Sequence, residues 1–181
     1  MNLDDYGDKR NFLSSTEPGD NSAAKDDKDK DLNSKLSFVV QKHYASQLHY
    51  DFRLELDGVL KSWAIPKGPS INPLEKRLAV MVEDHPLGYK DFQGDIAEGN
   101  YGAGKVLIWD KGTYDALGSY EKNNSMKIIR DGLVKGHIAF ILKGDKLKGE
   151  FALIRLKKSD PKNWLLVKKG DEFADSKDIL A

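Results

Sequence analysis

The stretch Gln41-Lys42-His43-Tyr44-Ala45-Ser46-Gln47-Leu48-His49-Tyr50-Asp51-Phe52-Arg53-Leu54-Glu55-Leu56 decides how this chain folds. From Leu48 to Leu56 polar and apolar residues alternate without a break. His49, Asp51, Arg53 and Glu55 point one way; Tyr50, Phe52, Leu54 and Leu56 point the other. A period of two is that of a half-buried β-strand. One face is wholly apolar, while the other carries two potential metal ligands and a cation. With His43 reaching back from the preceding turn, a His, His, Asp set can converge on one ion. An alternating charged face is more commonly a solvated surface, and a lone strand histidine more commonly a hydrogen-bonded one. The coincidence of both histidines, the aspartate and Arg53 is what points to an active site.

Outward from this strand, short β-type runs recur between turn signals. They are Phe38–Gln41, Leu48–Leu56, Leu60–Ile65, Arg77–Glu83, Gly104–Trp109, His137–Leu142, Leu147–Leu156 and Trp164–Lys168. Asp57-Gly58 reads as a tight hairpin turn. One short helix is predicted at Ser125–Val134 and a further turn near Asp171–Ala174. About eight strands with so little helix predict an all-β fold, a closed or nearly closed antiparallel barrel.

At 181 residues the chain has room for one domain with a sizeable core. Residues 1–36 carry 6 Lys/Arg against 9 Asp/Glu, within a chain whose formal net charge is zero. Their composition cannot bury enough apolar surface to offset ordering, which predicts a mostly disordered arm. Lys9-Arg10-Asn11-Phe12 is its denser part and is expected to dock on the body. Residues 37–181 are the expected barrel domain. A body near neutrality argues against broad polyanion binding, so phosphate recognition must come from a local cation cluster. The chain has no cysteine, which excludes disulfides, thiolate metal sites and cysteine nucleophiles. No signal peptide and no apolar run of about 20 residues is present, so a soluble, cytoplasmic protein with no membrane partner is expected.

Three further clusters bear on chemistry. Ile65-Pro66-Lys67-Gly68-Pro69 fixes a loop after a strand, where Lys67 can meet a phosphate or simply face solvent. In Lys76–Tyr89, Arg77, Ala79, Met81 and Glu83 share one side of a strand, and His85 sits past its end, as proton donor, phosphate contact or turn residue. Glu98-Gly99-Asn100-Tyr101-Gly102-Ala103-Gly104 lacks the Gly-Lys-Ser/Thr ending of a P-loop and reads as a structural turn. His137 has no nearby carboxylate partner and is not expected to be a ligand. Imidazole plus carboxylate suits Mn²⁺, Zn²⁺ or Fe²⁺, and cations ringing one metal suit phosphoryl transfer.

At these residues the chain resembles the phosphoesterase domain of bacterial ATP-dependent DNA ligase D, a module that also occurs alone. The resemblance rests on Phe-Val-Val-Gln-Lys-His (38–43), Leu-His-Tyr-Asp-Phe-Arg-Leu-Glu (48–55) and Leu-Lys-Ser-Trp-Ala-Ile-Pro-Lys-Gly-Pro (60–69). Lys-Arg-Leu-Ala-Val-Met-Val-Glu-Asp-His-Pro-Leu (76–87), the 98–104 segment and Lys-Leu-Lys-Gly-Glu-Phe-Ala-Leu-Ile-Arg (146–155) carry it further. It implies a β-barrel with one apolar side and a polar active-site groove. It also implies a Mn²⁺-dependent DNA-repair enzyme, with Co²⁺ or Zn²⁺ as substitutes, acting at DNA or RNA–DNA 3′ ends of primer-templates. Such an enzyme removes a 3′-terminal ribonucleoside as a phosphodiesterase. It then removes the 3′-phosphate as a phosphomonoesterase, leaving a 3′-hydroxyl for double-strand break repair.

Carried onto this chain, the resemblance makes His43, His49 and Asp51 metal ligands, and Arg53 and His85 contacts of the scissile phosphate. Lys67, Arg77, Gln41, Glu83 and Tyr89 would line the groove. The family's amino-terminal arm corresponds to Lys9-Arg10-Asn11-Phe12 and Glu17-Pro18, which brings in Arg10 and Glu17. Asn11 stands where the family has an acid, which bears on the ribonucleoside-removing step. Ligase and polymerase activities would come from separate chains. Two other readings of the residues are a two-His-one-carboxylate oxygenase built from His49, Asp51 and His85, and a nucleic-acid-binding scaffold without catalysis. No arginine follows His85 at the spacing the oxygenase would need for an oxoacid.

Overall fold

Asp57 and Gly58 both take positive φ (51° and 81°), as a two-residue type I′ turn demands, and this turn folds β2 (Leu48–Leu56) back on β3 (Val59–Ile65). The computed structural model describes residues 2–12, 15–19 and 34–181. Around the hairpin lie β1 (Leu36–Tyr44), β4 (Lys76–Pro86), β5 (Gly94–Ile96), β6 (Gly104–Ala116), β7 (His137–Gly144), β8 (Lys148–Arg155) and β9 (Asn163–Lys168). Two helices are described, α1 (Leu3–Asp8) and α2 (Lys122–Lys135), with a 3₁₀ turn at Leu87–Asp91. The strands run β1-β2-β3-β4-β9-β8-β7-β6, and β6 pairs back with β1. The fold is therefore a closed eight-stranded antiparallel barrel, to which β5 adds a short rib along the start of β6.

The apolar face of β2 points into the ring. Tyr50, Phe52, Leu54 and Leu56 meet Phe38, Val40, Trp63, Ile65, Tyr114, Phe140, Phe151 and Trp164 in one buried core. Each such side chain contributes about 1.5–3 kcal/mol by leaving water. A second cluster lies outside the ring, where Tyr6, Leu60, Tyr89, Phe92, Ile96 and Val106 pack together. This outer layer of α1, the 3₁₀ turn and β5 covers part of β1–β4, so the polar face of β2 is not a solvated surface. Asp51 (7% exposed), Arg53 (2%) and Glu55 (9%) are all buried.

Several sequence expectations are corrected by the structure. α2 begins three residues before the predicted Ser125, because the Glu121 carboxylate accepts from the backbone N–H groups of Asn123 and Asn124. It ends at Gly136, whose φ of 82° suits a left-handed cap. β6 runs on through the polar Asp110–Thr113 to Ala116, since buried Asp110 accepts N–H groups from Asp145, Lys146 and Leu147 of the β7–β8 turn. Within the expected arm, the described residues 2–12 and 15–19 include α1, which is closed by an Asn2–Asp5 capping box, and Tyr6 is fully buried. The remainder of the expected disordered segment, 20–33 with 13 and 14, lies outside the described residues. No helix among the described residues is long and apolar enough to cross a membrane.

Candidate metal centre and its phosphate groove

β1 and β2 pair so that His43 stands directly across from His49, and Gln41 across from Asp51. His43 Nδ1 lies 3.5 Å from one oxygen of Asp51, and His49 Nε2 lies 3.4 Å from the other. The three ligand atoms fall within 4.8 Å of one another. The far nitrogen of each imidazole is spoken for: His43 Nε2 donates to the Gly102 carbonyl at 2.7 Å, and His49 Nδ1 to the Gln47 carbonyl at 3.0 Å. A carbonyl can only accept, so in each neutral ring the nitrogen facing Asp51 carries the lone pair. Two oriented lone pairs and a carboxylate fit a divalent transition metal.

Arg53 sets the charge of this centre. Its Nε donates to Gln41 Oε1 (2.7 Å), Nη1 to Ser62 Oγ (2.9 Å) and Nη2 to Asp51 Oδ2 (3.2 Å), and the guanidinium lies 4.7 Å from the Tyr89 ring centre. Burial alone would raise the Asp51 pKa. Arg53 first, then the ring nitrogens of His43 and His49 beside the carboxylate, outweigh it and hold Asp51 well below the usual carboxylate range. The hydrogen bond that the protonated ring would donate to Asp51 raises His49, against the opposing effect of burial. Gln41 is fully buried, its amide nitrogen donating to the Tyr89 and Phe92 carbonyls at 2.9 Å. Its place is behind Arg53 rather than on the groove wall.

His85 reaches the site through a break in the β3–β4 register. Ser62 pairs with Val82 but Leu60 pairs with His85, so the two-residue step on β3 faces a three-residue step on β4. Strict alternation would keep Glu83 with Arg77, Ala79 and Met81. The bulge instead turns both Glu83 and His85 onto the groove side. His85 Nδ1 donates to the Glu83 carbonyl at 2.9 Å, and Arg10 Nη2 stands 3.4 Å from its Nε2. Burial, then the positive charges of Arg53 and Arg10, push His85 well below its ordinary pKa, so it is neutral.

The arm supplies the other wall. Arg10 stacks 3.8 Å over Tyr6 and donates to Glu17 (2.9 Å) and Glu83 (3.1 Å). Lys9 reaches Glu83 at 3.2 Å, and the Tyr89 hydroxyl donates to Glu17 at 2.9 Å. Burial would raise Glu83, yet its own backbone N–H, Arg10 and Lys9 hold it low. Burial drives the Tyr89 phenol well above its ordinary pKa. Together these residues enclose a cavity of about 330 Å³, lined by Arg10, Glu17, His43, His49, Asp51, Arg53, Glu83, His85 and Tyr89 among others.

Lys67 and Arg77 do not line it. Lys67 is exposed on the loop after β3, and Arg77 donates to its carbonyl (3.1 Å) and to Glu75 (2.8 Å). Arg77 lies at the far end of β4, on the face of Ala79 and Met81 that turns to the barrel core. His137 is exposed and belongs to no ligand cluster among the described residues. The residues that sequence reasoning missed are Tyr101 and Gly102, which join the cavity wall. Their signal was the glycine-rich 98–104 loop, read as a turn only. Gly102 at φ 73° presents the carbonyl that orients His43.

Comparison with known proteins accords with this geometry. Residues 41–155 match the DNA Ligase D 3′-phosphoesterase domain. The chain is 49% identical over 177 residues to the multifunctional non-homologous end joining protein LigD of Pseudomonas aeruginosa, covering 97% of this chain and 19% of that protein. The corresponding proteins of Mycobacterium tuberculosis (49% over 119 residues, 66% of this chain and 14% of that one) and Mycolicibacterium smegmatis (44% over 135 residues, 75% and 17%) are also similar. The chain thus spans a fifth or less of the length of these relatives. On the match across 41–155 and the near full-length identity, the chain belongs to the DNA ligase D 3′-phosphoesterase family.

Proposed function

We propose that the chain is a metal-dependent 3′-end-processing enzyme of non-homologous end joining. It cleaves the phosphodiester of a 3′-terminal ribonucleoside on a primer-template, then hydrolyses the remaining 3′-phosphate to leave a 3′-hydroxyl. The observation that carries this reading is a ligand set of His43, His49 and Asp51, within 4.8 Å, beside a braced and buried Arg53. The names of the relatives, end-joining and DNA-repair proteins, support the pathway. Ligation and polymerisation would fall to separate catalytic units, and work on DNA ends implies a bacterial cytoplasmic enzyme.

Mn²⁺, or Co²⁺ or Zn²⁺ in its place, would be held by His43, His49 and Asp51 and would supply Lewis-acid polarisation of the phosphate. Arg53 brings a charge that does not titrate, held in place before substrate arrives, against the phosphoryl oxygens. His85 starts neutral because burial and two guanidiniums disfavour its cation. A bound phosphate offsets those charges, so His85 takes a proton from solvent at Nε2 and passes it to the leaving oxygen as water adds to phosphorus, the P–O bond breaks and the water's proton returns to solvent. Tyr89 positions Glu17, and Gln41 positions Arg53. Glu17 and Glu83, held by Arg10, are acceptors suited to ribose hydroxyls, which a phosphate would not approach. Lys67 and Arg77, outside the cavity, serve the phosphates of the strand leading to it. Arg10 and Glu17 keep their mutual ion pair and their places on the cavity wall with asparagine at position 11, which favours retention of the ribonucleoside-removing step.

The test is a 5′-labelled primer-template ending in one ribonucleotide, with purified protein and Mn²⁺ or EDTA. The expected result is shortening to a 3′-phosphate and then a 3′-hydroxyl, in Mn²⁺ only. Turnover of a 3′-phosphate substrate alone would remove the diesterase step. Tight binding without product would leave a nucleic-acid scaffold.

A further inference from the structure

The cavity has two electrostatic halves. His43, His49, Asp51 and Arg53 form one, suited to a metal and a phosphate. Arg10, Glu17 and Glu83 form the other, where two carboxylates are balanced by Arg10 and Lys9 and offer acceptors without a net positive charge. Tyr101 borders the cavity and is 49% exposed. Lys9 Nζ lies 5.2 Å and Arg10 Cζ 5.3 Å from its ring centre, which places the ring on the arm side. Single exposed aromatics are ordinary, Tyr44 and Tyr120 among them; what sets Tyr101 apart is its place on the cavity wall beside Lys9 and Arg10.

The loop beneath Tyr101 is tightly held. Asn100 N–H donates to the Ala97 carbonyl and Ala103 N–H to the Asn100 carbonyl, both at 3.2 Å. Gly102 takes φ 73°, and Gly104 takes φ 136° with no space for a Cβ, which would fall 2.1 Å from the Tyr44 carbonyl oxygen. The residue next to Tyr101 is the one whose carbonyl orients His43. The backbone that carries the ring is thus set at a fixed place relative to the metal centre, unlike that of a loose loop.

We propose that Tyr101 is the platform on which the base of the 3′-terminal ribonucleoside stacks, so that ring and carboxylates together grip the leaving nucleoside. This rests on the function proposed above and names a contact for it. A π-face accepts any base, which suits an enzyme that must process ends of any sequence. Lys9 and Arg10 beside the ring add attraction for the electron-rich base without selecting one.

Two measurements test it. In EDTA, a primer-template ending in a 2-aminopurine ribonucleotide reports stacking by fluorescence quenching without turnover. Quenching is expected with the unmodified protein and with Tyr101→Phe, and its loss with Tyr101→Ala. In Mn²⁺, kcat/KM for a terminal ribonucleoside is compared with that for a terminal abasic ribose. The unmodified protein and Tyr101→Phe should prefer the base-bearing end about 10-fold, within the roughly 5- to 150-fold worth of one base–aromatic stack. Tyr101→Ala should lose that preference. A merely structural role would lower both rates and leave their ratio. Unquenched fluorescence with the unmodified protein, or an unchanged ratio in Tyr101→Ala, overturns the proposal. Quenching without any turnover would retain the platform and reject the enzymatic reading instead.

Discussion

Gly102, on an exposed loop, fixes the tautomer of His43, a buried strand residue, by accepting its Nε2–H at 2.7 Å. The lone pair is thereby turned toward Asp51 before any metal arrives. Gly102→Ala should cost about 1 kcal/mol of stability, because alanine resists φ 73°. By shifting the strained backbone that presents the carbonyl, it should also weaken Mn²⁺ binding about 10-fold, as a disturbed orienting partner does. Titration calorimetry reads the affinity and thermal melting the stability; unchanged affinity would mean that the carbonyl does not orient the ligand.

His43→Ala, His49→Ala and Asp51→Asn should each remove both phosphoesterase activities and the thermal stabilisation by Mn²⁺. Stabilisation of the unmodified protein should approach about 2.7 kcal/mol at a metal concentration 100 times Kd. A ligand variant that still gains stability from Mn²⁺ would sink the assignment.

Gln41→Ala should lower kcat by about 10- to 100-fold while Mn²⁺ affinity stays within a few-fold. The change leaves buried Arg53 Nε without its 2.7 Å acceptor, an orphaned donor worth about 1–3 kcal/mol. Gln41→Glu keeps an acceptor for the guanidinium but turns its second oxygen on the Tyr89 and Phe92 carbonyls, so it should recover only part of the rate. Equal losses in both variants would point away from a positioning role.

Stability in EDTA should fall as pH drops from about 7 to 5. His85 is held below its ordinary pKa, so below about 6.5 the unfolded chain binds a proton that the folded one refuses. His49 works the other way: its raised pKa contributes stability that is fully present below about 6.5 and fades as pH rises through the folded value. His85→Gln should therefore flatten the melting-temperature profile, and His49→Gln should steepen it. Parallel profiles for the three proteins would contradict the buried neutral state of His85.

Arg10→Ala should loosen the arm without unfolding the barrel. Glu83, 2% exposed in its side chain, then keeps, among the described residues, only the partly exposed Lys9 as a cation, and the arm loses its link to Glu17. Limited proteolysis should cut near residues 9–19 several-fold faster. Ribonucleoside removal should fall at least 10-fold more than 3′-phosphate removal. Equal losses would place Arg10 at the phosphate instead of the ribose side.

The chain by itself determined the features that local periodicity and local chemistry dictate. The alternation from Leu48 to Leu56 specifies a strand with an apolar core face, and Asp57-Gly58 specifies the turn that pairs it with β3. The ligand types of His43, His49 and Asp51 and the barrel-like succession of strands were legible for the same reason. Only the tertiary structure decided that the polar face is an outer face roofed by α1 and β5, because that cover is built from contacts more than 70 residues apart, such as Arg10 with Glu83. It also decided that Glu83 and His85 join the groove while Arg77 does not. That outcome depends on one extra residue in the β4 register opposite Leu60–Ser62. A bulge is a mismatch between two strands, and neither strand's own alternation records it.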